Sequence, residues 1–336
     1  MRALVTGGTG FLGAALLHRL AAEGARLRVI VRPGSDATIL DRIDAAYPQA
    51  ALQRVACGLD AGADGLDAAL DGIDVVFHLA SAMSGGTEAV MRGTLATSAA
   101  LLDALARRPA PPRVVLVGSL AVLDTASLAE GASVDDDTPL EPRPALRDAY
   151  TDAKLQQERM FRDRCARHRI PLVVARPGVL YGPGRITPST RAGFGPLAGW
   201  FLLLGGDNPL PLAHVDNCAA ALAWIARHAD FAGEACNIVD QPQPGCREYL
   251  LRYRAGQRPG LRILPVPAPL GRLAARLLPW LHARSRGRVP LLLSPYRWRS
   301  SWRPFRYGST ALARLGFVAP VSADAALASA LDAPSE

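Results

Sequence analysis

The chain has 336 residues, 49% of them hydrophobic and 20% charged, with a formal net charge of +8. That length suits two domains sharing one large core and needs no disulfide staples, and the hydrophobic content excludes a disordered chain. No collagen period, coiled-coil heptad or short repeat occurs, and the apolar stretches fall far below the roughly 18–20 residues of a membrane span.

Met1-Arg2-Ala3-Leu4-Val5 runs straight into a glycine motif, leaving no room for a signal peptide. A soluble, cytoplasmic protein is expected. Cys57, Cys165, Cys218, Cys236 and Cys246 contain no C-x-x-C pair and read as reduced, mostly buried thiols. The histidines form no ligand cluster, so no metal site is expected. Of 38 basic residues all but Lys154 are arginine. Between Arg247 and Arg314 fifteen arginines face one acid, Glu248. Such a basic third is either a solvated face or a surface for an anionic substrate, a membrane or nucleic acid. No nucleic-acid motif accompanies it, so nucleic acid is not expected as a partner.

Arg2 to Thr6 reads as a strand, followed at once by Gly7-Gly8-Thr9-Gly10-Phe11-Leu12-Gly13 and a helical pattern from Ala14 to Glu23. Leu27 to Val31 is a second strand, so the segment is a βαβ unit. Gly7 permits the tight turn, Gly10 lets backbone amides approach a pyrophosphate, and Gly13 lets helix and strand pack closely. The phosphates then meet the helix N-terminus, where orphan amides favour negative charge. An acid ending the second strand would favour NAD; this chain has Arg32-Pro33-Gly34-Ser35 instead. Arg32 suits a 2′-phosphate and Ser35 adds a donor, so NADP(H) is preferred over NAD(H). Asp36 comes one turn too late to serve the ribose.

Strands follow at Asp74 to Ala80, at Arg113 to Gly118 with Ser119 at its end, and at Leu172 to Ala175, which leads into Arg176-Pro177-Gly178-Val179-Leu180-Tyr181-Gly182-Pro183-Gly184. Ligands in doubly wound sheets lie beyond the carboxyl ends of strands, where Ser119 falls. Tyr150 and Lys154 share one face of a helix running to about His168. An ammonium one turn away would stabilise the phenolate and lower the tyrosine pKa from near 10 toward a working range. A surface pair is the plainer alternative.

Taken in order, the T-G-G-T-G-F-L-G loop, the F-H-L-A strand end at 77–80, Ser119, Tyr150-x-x-x-Lys154, R-P-G-V-L-Y-G-P-G and His214-Val215-Asp216 resemble the extended short-chain dehydrogenase/reductases (the NAD-dependent epimerase/dehydratase family) over essentially the whole chain. The nearest branch is that of 3β-hydroxysteroid dehydrogenase and bacterial ketoacid and sterol-type reductases. The resemblance implies an α/β Rossmann fold, a doubly wound parallel sheet with a smaller, mainly helical C-terminal substrate domain. Residues 1–178 with about 214–240 would form the dinucleotide-binding domain, and 179–213 with 241–336 the substrate-binding or lid region. It also implies that Ser119 hydrogen-bonds the substrate oxygen, Tyr150 transfers the proton, and Lys154 holds the nicotinamide ribose while lowering the tyrosine pKa. Cofactor contacts are expected from Gly7, Thr9, Gly10, Phe11, Leu12, Gly13, Arg32, Ser35, Leu59, Leu79, Ala80, Tyr150, Lys154, Pro177 and Val179. Substrate contacts are expected from Ser81, Met83, Leu120, Tyr181 and Trp200. A homodimer is expected by resemblance only.

Three departures stand out. Val90 occupies the place of a usual Asn, an adenine-contacting acid near 57–60 is replaced by Gly58 with Asp60 displaced, and an acidic insert, Asp135-Asp136-Asp137, reads as a surface loop. Dehydratases of the family carry an Asp-Glu pair after the Ser or Thr, whereas Leu120-Ala121 moves no proton, so dehydration is not expected. Leu270, Leu273, Ala274, Leu277 and Leu281 recur at helical spacing among Arg272, Arg276 and Arg284. That helix would close an apolar pocket, lie on a membrane surface as a peripheral contact, or pack on the core. The leading expectation is hydride transfer at a ketone or secondary alcohol of a largely apolar small molecule. The alternatives are a nucleotide-sugar epimerase or 4-reductase, whose arginines would grip a diphosphate, and a non-enzymatic dinucleotide-sensing protein.

Overall fold

The structure is a computed structural model that describes residues 1–57, 64–81, 87–286, 288 and 291–332. Leu59 and Met83, like Gly58 and Asp60, lie outside the described residues. Strands and helices alternate from the start: β1 (Arg2–Thr6), α1 (Phe11–Ala22), β2 (Arg26–Val31), α2 (Thr38–Ala46), β3 (Gln53–Ala56), α3 (Asp64–Leu70), β4 (Val75–His78), α4 (Thr87–Ala106), β5 (Arg113–Val117), β6 (Ser133–Val134), α5 (Ala149–His168) and β7 (Leu172–Pro177). Then come β8 (Val179–Tyr181), β9 (Gly193–Leu197), β10 (Trp200–Leu203), β11 (Leu212–His214), α6 (Val215–His228), β12 (Ala232–Ile238), α7 (Cys246–Gln257) and β13 (Arg262–Pro265). The chain closes with α8 (Ala268–Arg284), α9 (Pro295–Ser301), β14 (Arg306–Tyr307), α10 (Thr310–Arg314) and α11 (Ala323–Asp332).

Seven strands form one parallel sheet in the order β3-β2-β1-β4-β5-β7-β12. A parallel sheet covered on both faces needs near-continuous apolar strands, and Ala3, Leu4 and Val5 of β1 are fully buried. Their alternation divides the core. Ala3 and Val5 join Leu16, Leu20, Leu222 and Ile225 of α1 and α6, while Leu4 joins Leu101, Leu105 and Phe161 of α4 and α5. The order of strands reverses between β1 and β4, which opens a crevice beyond their carboxyl ends.

The C-terminal region has its own core of Tyr181, Phe201, Leu203, Tyr249, Leu250 and Leu327. Besides its helices it holds a small sheet, β13-β10-β9, which the leucine-rich composition did not foretell. Helix α8 packs through Gly271 and Ala275, and a Cβ on Gly271 would stand 2.2 Å from the Trp298 ring. Leu270, Leu273, Leu277, Trp280 and Leu281 stay exposed, Trp280 at 64%. Among the described residues no helix is long and apolar enough to cross a membrane.

The acidic insert is not a surface loop. Asp136 is buried at 7% exposure. Its carboxylate accepts from the Asn237 amide at 2.6 Å, the Ala311 amide at 2.7 Å and the Ser309 hydroxyl at 3.0 Å. It thereby caps α10 and ties it to β12, and an acid satisfies the orphan amides of a helix N-terminus. Next to it, Arg176 of β7 pairs with the buried Glu158 of α5 at 2.6 Å and donates to the Asp136 carbonyl at 3.1 Å. That pair fixes the helix carrying Tyr150 and Lys154 against the sheet.

Candidate active site

The β1–α1 turn shapes a groove. Gly7 has φ +73°, open to glycine at little strain, and a Cβ there would lie 3.0 Å from the Ala80 amide at the end of β4. A Cβ on Gly13 would meet the Gly7 carbonyl oxygen at 2.1 Å, so α1 starts in direct backbone contact with the turn. Gly10 differs. Its φ of −78° suits any residue, and a Cβ would touch only the Gly7 oxygen, at 3.3 Å. Its other side lines a groove of about 440 Å³.

Gly7, Thr9, Gly10, Phe11, Leu12, Gly13, Arg32, Ser35, Leu79, Ala80, Ser81, Tyr150, Lys154 and Pro177 all line that groove, joined by Cys57, Gly93, Thr97 and Arg185. Val179 does not; it belongs to a second cavity. Arg32 is exposed, with no carboxylate within ion-pair distance among the described residues. Asp36 is spent on its own turn, accepting from the Thr38 amide at 2.9 Å. The donor set, a helix N-terminus at one point and an unpaired guanidinium at the adenosine end, fits an anionic dinucleotide.

Ser119, Tyr150 and Lys154 come together where the groove meets the second cavity. Ser119 follows β5 and caps a short turn, accepting from the Ala121 amide at 3.2 Å. Tyr150 opens α5, whose N-cap Asp148 accepts from the Thr151 amide at 2.7 Å. Tyr150 keeps 38% of its surface open, and the protein crowding its phenol raises the pKa above the ordinary 10. A hydrogen bond with Ser119 and the Arg185 charge pull the other way, while the Asp148 charge adds to the rise. The Lys154 charge is not among the influences that set this phenol in the protein alone. The Lys154 ammonium donates instead to the Val117 carbonyl at 3.1 Å and to Gln157 Oε1 at 3.0 Å, and burial lowers it to about 8.

Behind Lys154 runs a buried polar chain that sequence reading missed. Gln157 donates to Ser98 Oγ at 2.9 Å, and Ser98 donates to the Thr94 carbonyl at 2.7 Å. With its proton spent there, Ser98 accepts from His78 Nε2 at 3.1 Å, which leaves Nδ1 to accept from Thr6 Oγ1 at 2.9 Å. Burial and the Lys154 charge push His78 down to about 3, so this imidazole stays neutral. The side chain of Val90 lies outside the described residues; Lys154 bonds the Val117 carbonyl and Gln157, and Gln157 in turn reaches Ser98. Gln157, three residues after Lys154, was the available signal.

The second cavity measures about 480 Å³ and shares Ser119, Tyr150, Pro177 and Arg185 with the groove. Leu120, Val179, Leu180, Phe194, Pro211 and Trp302 form apolar walls, and Arg147, Arg191 and Arg297 add charge. Two expected substrate residues stand elsewhere. Tyr181 is buried, and its hydroxyl donates to Asp240 at 3.0 Å, because the same carboxylate gathers the His214 amide and Asn217. Trp200 lies on β10 beneath the Arg262 guanidinium, away from both cavities. Nor does α8 close the pocket: the wall comes from Arg297 and Ser301 of α9 and from Trp302 just beyond it.

Residues 3–238 match the NAD dependent epimerase/dehydratase family. A curated relative from Streptomyces sp, 3-diazoavenalumate denitrifying reductase, is 31% identical over 298 residues, covering 83% of this chain and 88% of its own. Among solved structures, UDP-glucose 4-epimerase from Bifidobacterium longum with NAD+ and UDP is 18% identical at a TM-score of 0.69, covering 99% of this chain and 97% of its own. dTDP-glucose 4,6-dehydratase from Bacillus anthracis with NAD is 15% identical at 0.70, covering 98% and 95%. The chain therefore belongs to the NAD dependent epimerase/dehydratase family of extended short-chain dehydrogenase/reductases, enzymes that act on CH–OH groups with a nicotinamide dinucleotide.

Proposed function

We propose that the protein is an NADPH-preferring oxidoreductase acting on a ketone or secondary alcohol of a small molecule with a largely apolar body. The observation that carries this reading is the placement of Ser119 and Tyr150 on the wall common to groove and cavity. Arg32 and Ser35 at the far end of the groove support NADP(H) over NAD(H). A nicotinamide dinucleotide held in the groove would supply or accept the hydride. Ser119 orients the substrate oxygen, and Tyr150 moves a proton to or from it. Lys154 has one N–H beyond those given to Val117 and Gln157, free to hold the ribose, and its charge favours the phenolate once cofactor and substrate displace water. Leu120 and Ala121 carry no acid or base for eliminating water, and a relative named as a reductase favours simple reduction.

The test is to free the purified protein of dinucleotide and titrate it with NADPH and NADH. A charge-assisted contact to the 2′-phosphate is worth about 1.5–3 kcal/mol, so NADPH should bind at least tenfold tighter and Arg32→Ala should remove the difference. Tyr150→Phe should abolish turnover and keep cofactor binding. Tightly retained NAD would favour an epimerase instead, and loss of cofactor binding in Tyr150→Phe would refute the role given to Tyr150.

A further inference from the structure

Resting on the reading of Ser119 and Tyr150 as the reacting end of the cavity, we infer that the substrate is a carboxylic acid whose carboxylate is held by Arg191 with Arg297. The cavity has more positive charge than the fold uses. Arg191 is half-buried; its Nη1 donates to the Tyr307 hydroxyl at 2.9 Å, and no carboxylate lies within ion-pair distance of it among the described residues. Arg297, also half-buried, donates among the described residues to the carbonyls of Leu291 and Leu292, at 3.1 and 3.3 Å. Arg147 stands behind them at 6% exposure. It is committed to the Ala121 and Leu123 carbonyls and to Glu141 at 3.7 Å, yet its buried Nε has no partner.

Among the described residues the one carboxylate on the wall, Asp148, is occupied in capping α5 through the Thr151 amide and hydroxyl. Arg191 acts on Arg147 as a like charge, and Arg191 and Arg297 keep guanidinium donors with no carboxylate partner among the described residues. An anion entering the cavity offsets both effects, and a guanidinium matches a carboxylate through two parallel N–H bonds. The apolar surface sets the rest of the molecule. Phe194 and Trp302 meet edge to face, with centroids 5.2 Å apart, and present aromatic surface to the cavity. A cavity of about 480 Å³ suits an acid of drug-like size with an apolar or aromatic body. A diphosphate would also meet those guanidiniums, but the hydroxyl-rich sugar of a nucleotide-sugar would face the apolar walls of Leu120, Val179, Phe194 and Trp302.

Calorimetry on the whole protein, alone and loaded with NADP+, tests this with cinnamate, cinnamamide and uridine diphosphate as probes. Cinnamate should bind about tenfold or more tighter than the isosteric amide, the ratio for one charge-assisted pair. Arg191→Gln should erase that preference, Arg191→Lys should restore part of it, and both should bind NADPH as the parent does, which shows that they fold. Equal affinity for acid and amide, no binding of cinnamate, tighter binding of uridine diphosphate, or a preference that survives Arg191→Gln and Arg297→Gln would each overturn the inference. Failure of the protein to bind NADP+ would instead strike the oxidoreductase reading, since the acid–amide comparison is also made without cofactor.

Discussion

Gly10, the N-cap of α1, and Gly13, in the first turn of that helix, lie three residues apart, and their geometry separates cofactor binding from folding. Gly10→Ala places a methyl on a backbone with φ −78°, ordinary for alanine, with a single neighbour at 3.3 Å. Less freedom in the unfolded chain offsets the slight crowding, so stability should change by less than about 1 kcal/mol. The methyl projects into the groove, however, where a pyrophosphate needs close approach to backbone amides, and NADPH affinity should fall by about tenfold or more. Gly13→Ala drives its methyl to 2.1 Å from the Gly7 oxygen, 2.7 Å from Gly8 Cα and 2.9 Å from Gly7 carbon, all backbone. None of these can rotate away, so α1 must lift off the turn, at a cost of about 1–3 kcal/mol or more. Urea unfolding and NADPH titration of both variants give the comparison. If Gly10→Ala binds NADPH like the parent, the phosphates do not lie over this turn and the groove has been assigned to the wrong ligand.

Lys154 sets a pH limit. Its folded pKa of about 8 lies below the ordinary 10.5, so its charge is lost as pH rises through about 8, while Tyr150, raised above 10, stays protonated there. Measured kcat/KM should therefore fall above pH about 8 with a slope near tenfold per unit. Gln157→Leu removes the acceptor 3.0 Å from the ammonium and should move that limb to lower pH, a shift that simple loss of folded protein would not produce. Asp136→Ala strands the buried amides of Asn237 and Ala311, and urea denaturation should show a loss of about 2–4 kcal/mol with NADPH affinity unchanged in the fraction that folds.

What could be read from the sequence was local. The glycine turn is legible because each glycine answers a demand made within a few residues, as the contacts of Gly7 and Gly13 show. Tyr150 and Lys154 are legible because one helical turn joins them, though their spacing did not say where the ammonium would point. The polar chain from Gln157 to Thr6 crosses α5, α4, β4 and β1, and the arginines of the second cavity come from segments far apart in sequence. No period or spacing marks such residues, since only packing brings them together. The acidic insert failed for the same reason: three aspartates in a row resemble a solvated loop until β6 and β14 pair and bring the N-terminus of α10 over Asp136.

The misplacement of Tyr181 separates two kinds of motif residue. Tyr181 and His214 are as much part of the sequence signature as Tyr150, yet both converge with Asn217 on the buried Asp240. Asn217 also clasps the Val321 backbone through both ends of its amide, at 2.9 and 3.0 Å. This cluster fastens β8, β11 and the lead-in to α11 where the chain crosses from the sheet to the substrate region, and a Cβ on Gly178 would stand 2.2 Å from the Pro211 oxygen at that crossing. Pro177, Val179 and Leu180, the neighbours of these anchors, are the residues that reach the cavities. Buried polar groups whose hydrogen bonds stay inside the protein, as those of Tyr181 and Asn217 do, hold a wall in place. On the function proposed above, the residues that would meet the ligand are those left with open faces or unspent donors, which is why Arg191 and Lys154, rather than Tyr181, are where substitution should alter chemistry before it alters folding.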